Sequence, residues 1–178
     1  MWTDKEKIRM FLQCVNKWTE FHLADEAIPE EVVEVGFERA KKHSQEILVE
    51  FTTSNPNASD FLKGWIEVGL FAGFLAGYKS ANNIISKAVT ISESKIVAIP
   101  ATDKAKKFAS ELTENIFKQM LKPPINPMFE GLGEKTIQLL RISYESSLHA
   151  GFIDAIEVAY RKGWISNTPL DIETILVN

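Results

Sequence analysis

The sequence predicts an all-α fold: a helical bundle built from a duplicated helix hairpin, preceded by one further helix. Three observations predict it. Apolar residues recur at three- and four-residue spacing through most of the chain. The breaks fall at clusters of Pro, Gly, Ser and Asn. Two long stretches repeat one another. The 178 residues, 45% hydrophobic and 25% charged, suit one all-helical domain over 1–178 with a substantial core.

The first element is expected over Thr3 to Phe21. Thr3 and Glu6 make a T-x-x-E capping box, and Ile8, Phe11, Cys14, Val15, Trp18 and Phe21 follow as one stripe. A second helix starts at Pro29, whose missing N–H costs nothing at a first position. Glu30 and Glu31 suit the positive end of its dipole. Its stripe runs from Val33 through Gly36, Phe37, Ala40, Ser44, Ile47 and Leu48 to Phe51. The turn cluster TTSNPNAS (52–59) ends it.

Ser59 is placed to cap a long third helix reaching about Lys87. The segment 88–99 reads in two ways: a small β-hairpin around Ser92-Glu93-Ser94, or a helix end followed by a loop. Thr102 caps a fourth helix that stops before Pro123-Pro124. After the loop KPPINPMFEGLGE (122–134), a fifth helix runs from about Lys135 to Lys162. Thr168 and Pro169 suit the start of one more short helix in the tail.

The repeat emerges when DFLKGWIEVGLFAGFLAGY (60–78) is set above QLLRISYESSLHAGFIDAI (138–156), at an offset of 78. Leu62 falls on Leu140, Glu67 on Glu145, and the AGF of 72–74 on the AGF of 150–152. The preceding segments ERAKKHSQEI (38–47) and DKAKKFASEL (103–112) match at an offset of 65. The difference of 13 equals the length of the 122–134 loop. The chain therefore divides into a first half-repeat at about 29–87 and a second at about 102–163.

Gly69, Gly73 and Gly77 correspond to Ser147, Gly151 and Ala155. Residues four apart share a helix face. Each long helix thus carries a groove without bulky side chains, and two such grooves make a seam along which backbones approach closely. Each glycine costs about 1 kcal/mol of helix propensity, so tight packing must offset it. A membrane span is not expected, because the apolar run between Glu67 and Lys79 is far shorter than the roughly 20 residues required. The third helix, apolar nearly all round, should be more enclosed than the fifth, which keeps Asp154, Glu157 and Arg161 on a polar face.

Candidate chemistry is sparse. Glu67 and Glu145 occupy the same point of the repeat, and a pseudo-two-fold could bring them together as an acid/base pair. Lys63 and Arg141, four residues earlier, offer the simpler alternative of intrahelical ion pairs. His149 is a third catalytic candidate. No metal site is expected: the histidines are His22, His43 and His149, and the E-x-x-H ligand pairs of di-iron bundles are missing. No cofactor motif is found. Arg39, Lys41 and Lys42 match Lys104, Lys106 and Lys107, but acidic residues are interleaved and the net charge is −4, so nucleic-acid binding is not expected. Trp65, Phe74, Tyr78, Tyr144 and Phe152 are the residues that would line a small-molecule pocket, if they are not simply core.

The single cysteine, Cys14, allows no intrachain disulfide. The charged start MWTDKEKIRM lacks the apolar stretch of a secretory signal, which points to the cytoplasm. The functional expectation is a non-catalytic interaction or assembly protein that forms a homo-oligomer or binds a protein partner. A small-molecule binder is the alternative, and an enzyme using Glu67 and Glu145 the second alternative.

Overall fold

A computed structural model describes residues 30–91, 103–122 and 131–161. Among the described residues there are four helices and no strand: α1 (Glu30–Ser54), α2 (Asp60–Ile91), α3 (Asp103–Met120) and α4 (Glu134–Arg161). The all-α fold class is thereby shown. The expected helices over 3–21 and at the tail lie outside the described residues, as does 92–99. Residues 88–91 form the last turn of α2, so no strand begins there. The β-branched Val89, Thr90 and Ile91 disfavour helix by only a few tenths of a kcal/mol each, which a helix already under way overrides.

Local chemistry explains the ends. α1 has no basic residue in its last turn. Its terminal carbonyls are met instead by side chains: Thr52 Oγ1 donates to Leu48 O at 2.7 Å, Thr53 Oγ1 to Val49 O at 2.8 Å and Asn55 Nδ2 to Phe51 O at 3.0 Å. Ser59 caps α2, its Oγ accepting the Leu62 N–H at 3.2 Å. Gly131, at φ 81°, turns the chain ahead of α4 in the left-handed region that glycine tolerates. Glu134 in the first turn of α4 and Arg161 in the last both suit its dipole.

The most extensive packing is between α2 and α4; α1 lies on α2, and α3 lies on α4. Gly69, Gly73 and Gly77 meet Leu140, Tyr144 and Leu148 in that order, so α2 and α4 run in the same direction. Side-chain pairs between α1 and α4, and between α3 and α4, run the opposite way. The result is a parallel central pair with an antiparallel helix on either flank.

Glycine is required along that seam. A Cβ on Gly73 would fall on the Tyr144 carbonyl oxygen, one on Gly77 on that of Leu148, and one on Gly151 on that of Phe74. In each case the obstacle is backbone, which cannot rotate aside. At Gly69 the approach is looser, 3.0 Å to Leu140 O. Ser147 is fully buried and Ala155 is 1% exposed, so the corresponding positions of α4 are also enclosed. Between Trp65 and Asn82 of α2, Glu67 alone is exposed, while Phe71 and Lys79 are half-buried. Ser80 Oγ and Asn82 Nδ2 bond back to Ala76 O and Tyr78 O, so these buried polar groups stay within the helix's own ladder.

Several contacts recur at the offsets of the sequence repeat. His43 lies against Phe74 with ring centroids 4.8 Å apart, and Phe108 against Phe152 at 5.3 Å. Lys42–Glu46 and Lys107–Glu111 are both i,i+4 pairs at 3.8 Å. Ala40 and Ala105 are both fully buried.

Candidate functional site

The polar chemistry of the described residues gathers where α1 crosses α4. Arg39 enters from α1 because it stands one residue before the buried Ala40, at the edge of the helix's packed face. Its Nε and Nη2 donate to the two carboxylate oxygens of Asp154, a bidentate pair that is partly buried. This bond to Asp154 is the main reason that the Arg39 pKa is raised further. One turn along α1, His43 Nε2 lies 3.0 Å from Ser147 Oγ, and its ring rests on Phe74. Burial is the main influence on His43 and lowers its pKa; the charges of Glu46 and Asp154 oppose that and lose. Tyr78 closes the same corner: burial raises its pKa, and its ring packs where Gly36 leaves room, 2.6 Å from where a Cβ would stand.

A histidine beside a serine and near an aspartate has the makings of a nucleophilic site, but this arrangement cannot act as one. Ser147 is fully buried against the α2 seam, out of reach of any substrate. Asp154 spends its carboxylate on Arg39 rather than orienting the imidazole. What the group does is join α1 to α4.

The carboxylates Glu67 and Glu145 are not brought together. Glu67 is exposed, on the face of α2 that carries Phe71 and Tyr78 and meets α1. Glu145 is half-buried, on the face of α4 that carries Leu148 and Phe152 and meets α3. In a parallel pair, equivalent positions about 120° from the seam fall on opposite edges. Lys63 pairs with Asp60 at 3.6 Å rather than with Glu67. His149 is half-buried, its Nε2 enclosed and without a hydrogen-bond partner among the described residues; burial lowers its pKa first, and Lys106 of α3 lowers it further.

The five aromatic candidates are interior. Trp65 is 1% exposed, and Phe74, Tyr78, Tyr144 and Phe152 are buried as well. They stack on protein: Phe74 on Tyr78, Phe117 edge-on to Tyr144, Phe108 on Phe152. Burial pushes the Tyr144 phenol far above its ordinary value. Among the described residues, the large apolar side chains that remain exposed lie elsewhere: Val35, Phe37 and Val49 on α1, Phe61 on α2 and Ile142 on α4. Phe37 packs edge-on against Phe71 at 5.0 Å yet stays 47% exposed.

Sequence reasoning did not join Arg39, His43, Ser147 and Asp154. The signal was in the repeat itself. His43 stands opposite Phe108, Ser147 opposite Gly69, and Asp154 opposite Ala76, so polar groups concentrate at one of two equivalent crossings. Among the described residues no group of acidic, histidine or cysteine side chains could hold a metal ion, and no helix is long and apolar enough to cross a membrane. The chain matches no family model, no curated protein and no solved structure.

Proposed function

We propose that this chain is a non-catalytic interaction or assembly protein of the cytoplasm that associates with a second copy of itself through the α1 side. The observation that carries the reading is the exposure of large apolar residues on α1. Val35 is 38%, Phe37 47% and Val49 65% exposed. Single exposed apolar residues are ordinary. Here three belong to one helix, and Phe37 joins Phe71 to make an aromatic edge that a partner would cover. The polar candidates support the same reading: Glu67 and Glu145 flank opposite edges of the seam, and Ser147 is sealed inside it.

Native mass spectrometry on gently purified protein tests this directly. A dimer or higher oligomer without added mass, converted to monomer by Phe37→Ser, is the expected result. A monomer carrying a fixed extra mass would sink the reading and favour a bound small molecule. Replacing both Glu67 and Glu145 by Gln should leave the oligomer intact.

A further inference from the structure

Among the described residues, His43 is a titratable side chain that bridges α1 to the central pair without a fixed charge. It sits between Phe74 of α2 and Ser147 of α4, with Arg39 one turn away. The charged and titratable groups facing it can be named helix by helix. α1 supplies Arg39 and Glu46; α4 supplies Asp154, with Glu157 one turn beyond; α2 supplies the Tyr78 phenol beside the Phe74 ring. Asp154 is already engaged by both donors of Arg39, and Glu46 is an exposed residue that also pairs with Lys42.

We propose that His43 is an acid-operated catch: with a neutral ring it seats α1 on Ser147 and Phe74, and with a charged ring it releases α1 from the α2–α4 pair. The neutral imidazole carries one N–H and one acceptor nitrogen; its Nε2 is met by Ser147 Oγ and its ring has an apolar bed on Phe74. The imidazolium must also place a second N–H and a full charge on that half-buried bed, beside carboxylates already paired with Arg39 and Lys42. Burial outweighs the nearby carboxylates, so the folded pKa lies below the ordinary histidine value. The neutral form therefore favours the seated helix. That contribution is fully present above the unfolded pKa of about 6.5 and is lost as pH falls from there through the lower folded value.

The other crossing supplies the control. Phe108 occupies the position equivalent to His43 and packs on Phe152, so a ring without a titratable nitrogen fits this architecture. Hydrogen exchange of the α1 amides, corrected for intrinsic chemistry, would be followed from pH 7.5 to 5.0 in the parent and in His43→Phe. The expected result is faster exchange of the parent's α1 in acid, and loss of that acceleration in the variant. His43→Gln, which keeps a hydrogen-bonding group for Ser147 but cannot titrate, repeats the test if the phenylalanine variant folds poorly. Acid sensitivity remaining in α4 and α3 belongs to His149 and should survive both substitutions. Two results would overturn the proposal: an α1 acceleration unchanged in both variants, or an NMR titration placing the parent's His43 at or above the value of a histidine in an unstructured peptide.

Discussion

α1 and α3 hold equivalent places beside the central pair, yet they are attached by different physics. α3 is keyed into the core by large apolar side chains: Ile116 is fully buried and Phe117 is 1% exposed against Tyr144. Among the residues of α1 whose side chains are described, 35–54, no large apolar one is fully buried; the positions enclosed there are Gly36, Ala40 and Ser44. Its Ile47, Leu48 and Phe51 are half-buried, and polar links through Arg39 and His43 supply the difference. Burial of an apolar side chain is worth about 1.5–3 kcal/mol and is indifferent to pH. A part-exposed ion pair and a histidine bond contribute less, and they respond to conditions. The lesson is that one scaffold presents two kinds of flank, a permanent one and a releasable one.

The largest expected effect comes from the seam on which both flanks depend. Gly151→Leu should cost more than about 3 kcal/mol in urea unfolding, because the new side chain meets the Phe74 backbone. Gly133→Ala, with nothing within 4 Å of its Cβ position, should unfold like the parent. If the two variants unfold alike, the close α2–α4 approach is wrong.

The next effect separates the flanks. Phe117→Ala should cost about 3 kcal/mol, because it empties a fully enclosed site. Phe37→Ala, on the exposed side of α1, should cost less than about 1 kcal/mol. Comparable losses in the two unfolding curves would erase the distinction between the helices. Asp154→Ala should fall between them, near about 1 kcal/mol, because Arg39 loses its partner but keeps access to water. Its effect should appear first in exchange of α1 amides and hardly at all in α3.

The smallest effect is a gain. Thr113 of α3 is fully buried, and its Oγ1 has no hydrogen-bond partner among the described residues. Thr113→Val keeps the shape and removes the unpaired hydroxyl, so it should be neutral or raise stability by up to about 1 kcal/mol. A loss in the urea midpoint would mean that the hydroxyl is satisfied after all.

The helices were legible because their determinants are local. Ser59 announces the start of α2, and the 3–4 spacing of Ala105, Ala109, Thr113 and Ile116 gives the buried face of α3. The glycine spacing was legible too, since Gly73 and Gly77 recur on one face and only close packing offsets their cost. The end of α2 was less so: the β-branched run at 89–91 fits a strand as well as a last helical turn, and propensity differences that small do not decide it. The α1–α4 group was hidden because Arg39 and Asp154 lie 115 residues apart and each, taken alone, reads as an ordinary surface charge. Which edge of the seam Glu67 and Glu145 occupy depends on the relative direction of two helices, and no local pattern encodes that.

The most direct test of the two-flank account is native-state hydrogen exchange at neutral pH in rising, sub-denaturing urea, read separately over 39–48 of α1 and 108–117 of α3. α1 should open as a unit at lower free energy than α3, which should open only with global unfolding, as expected of a helix joined to α4 through part-buried polar links. If both helices open together at the global free energy, or α3 opens first, the contrast between the flanks does not exist.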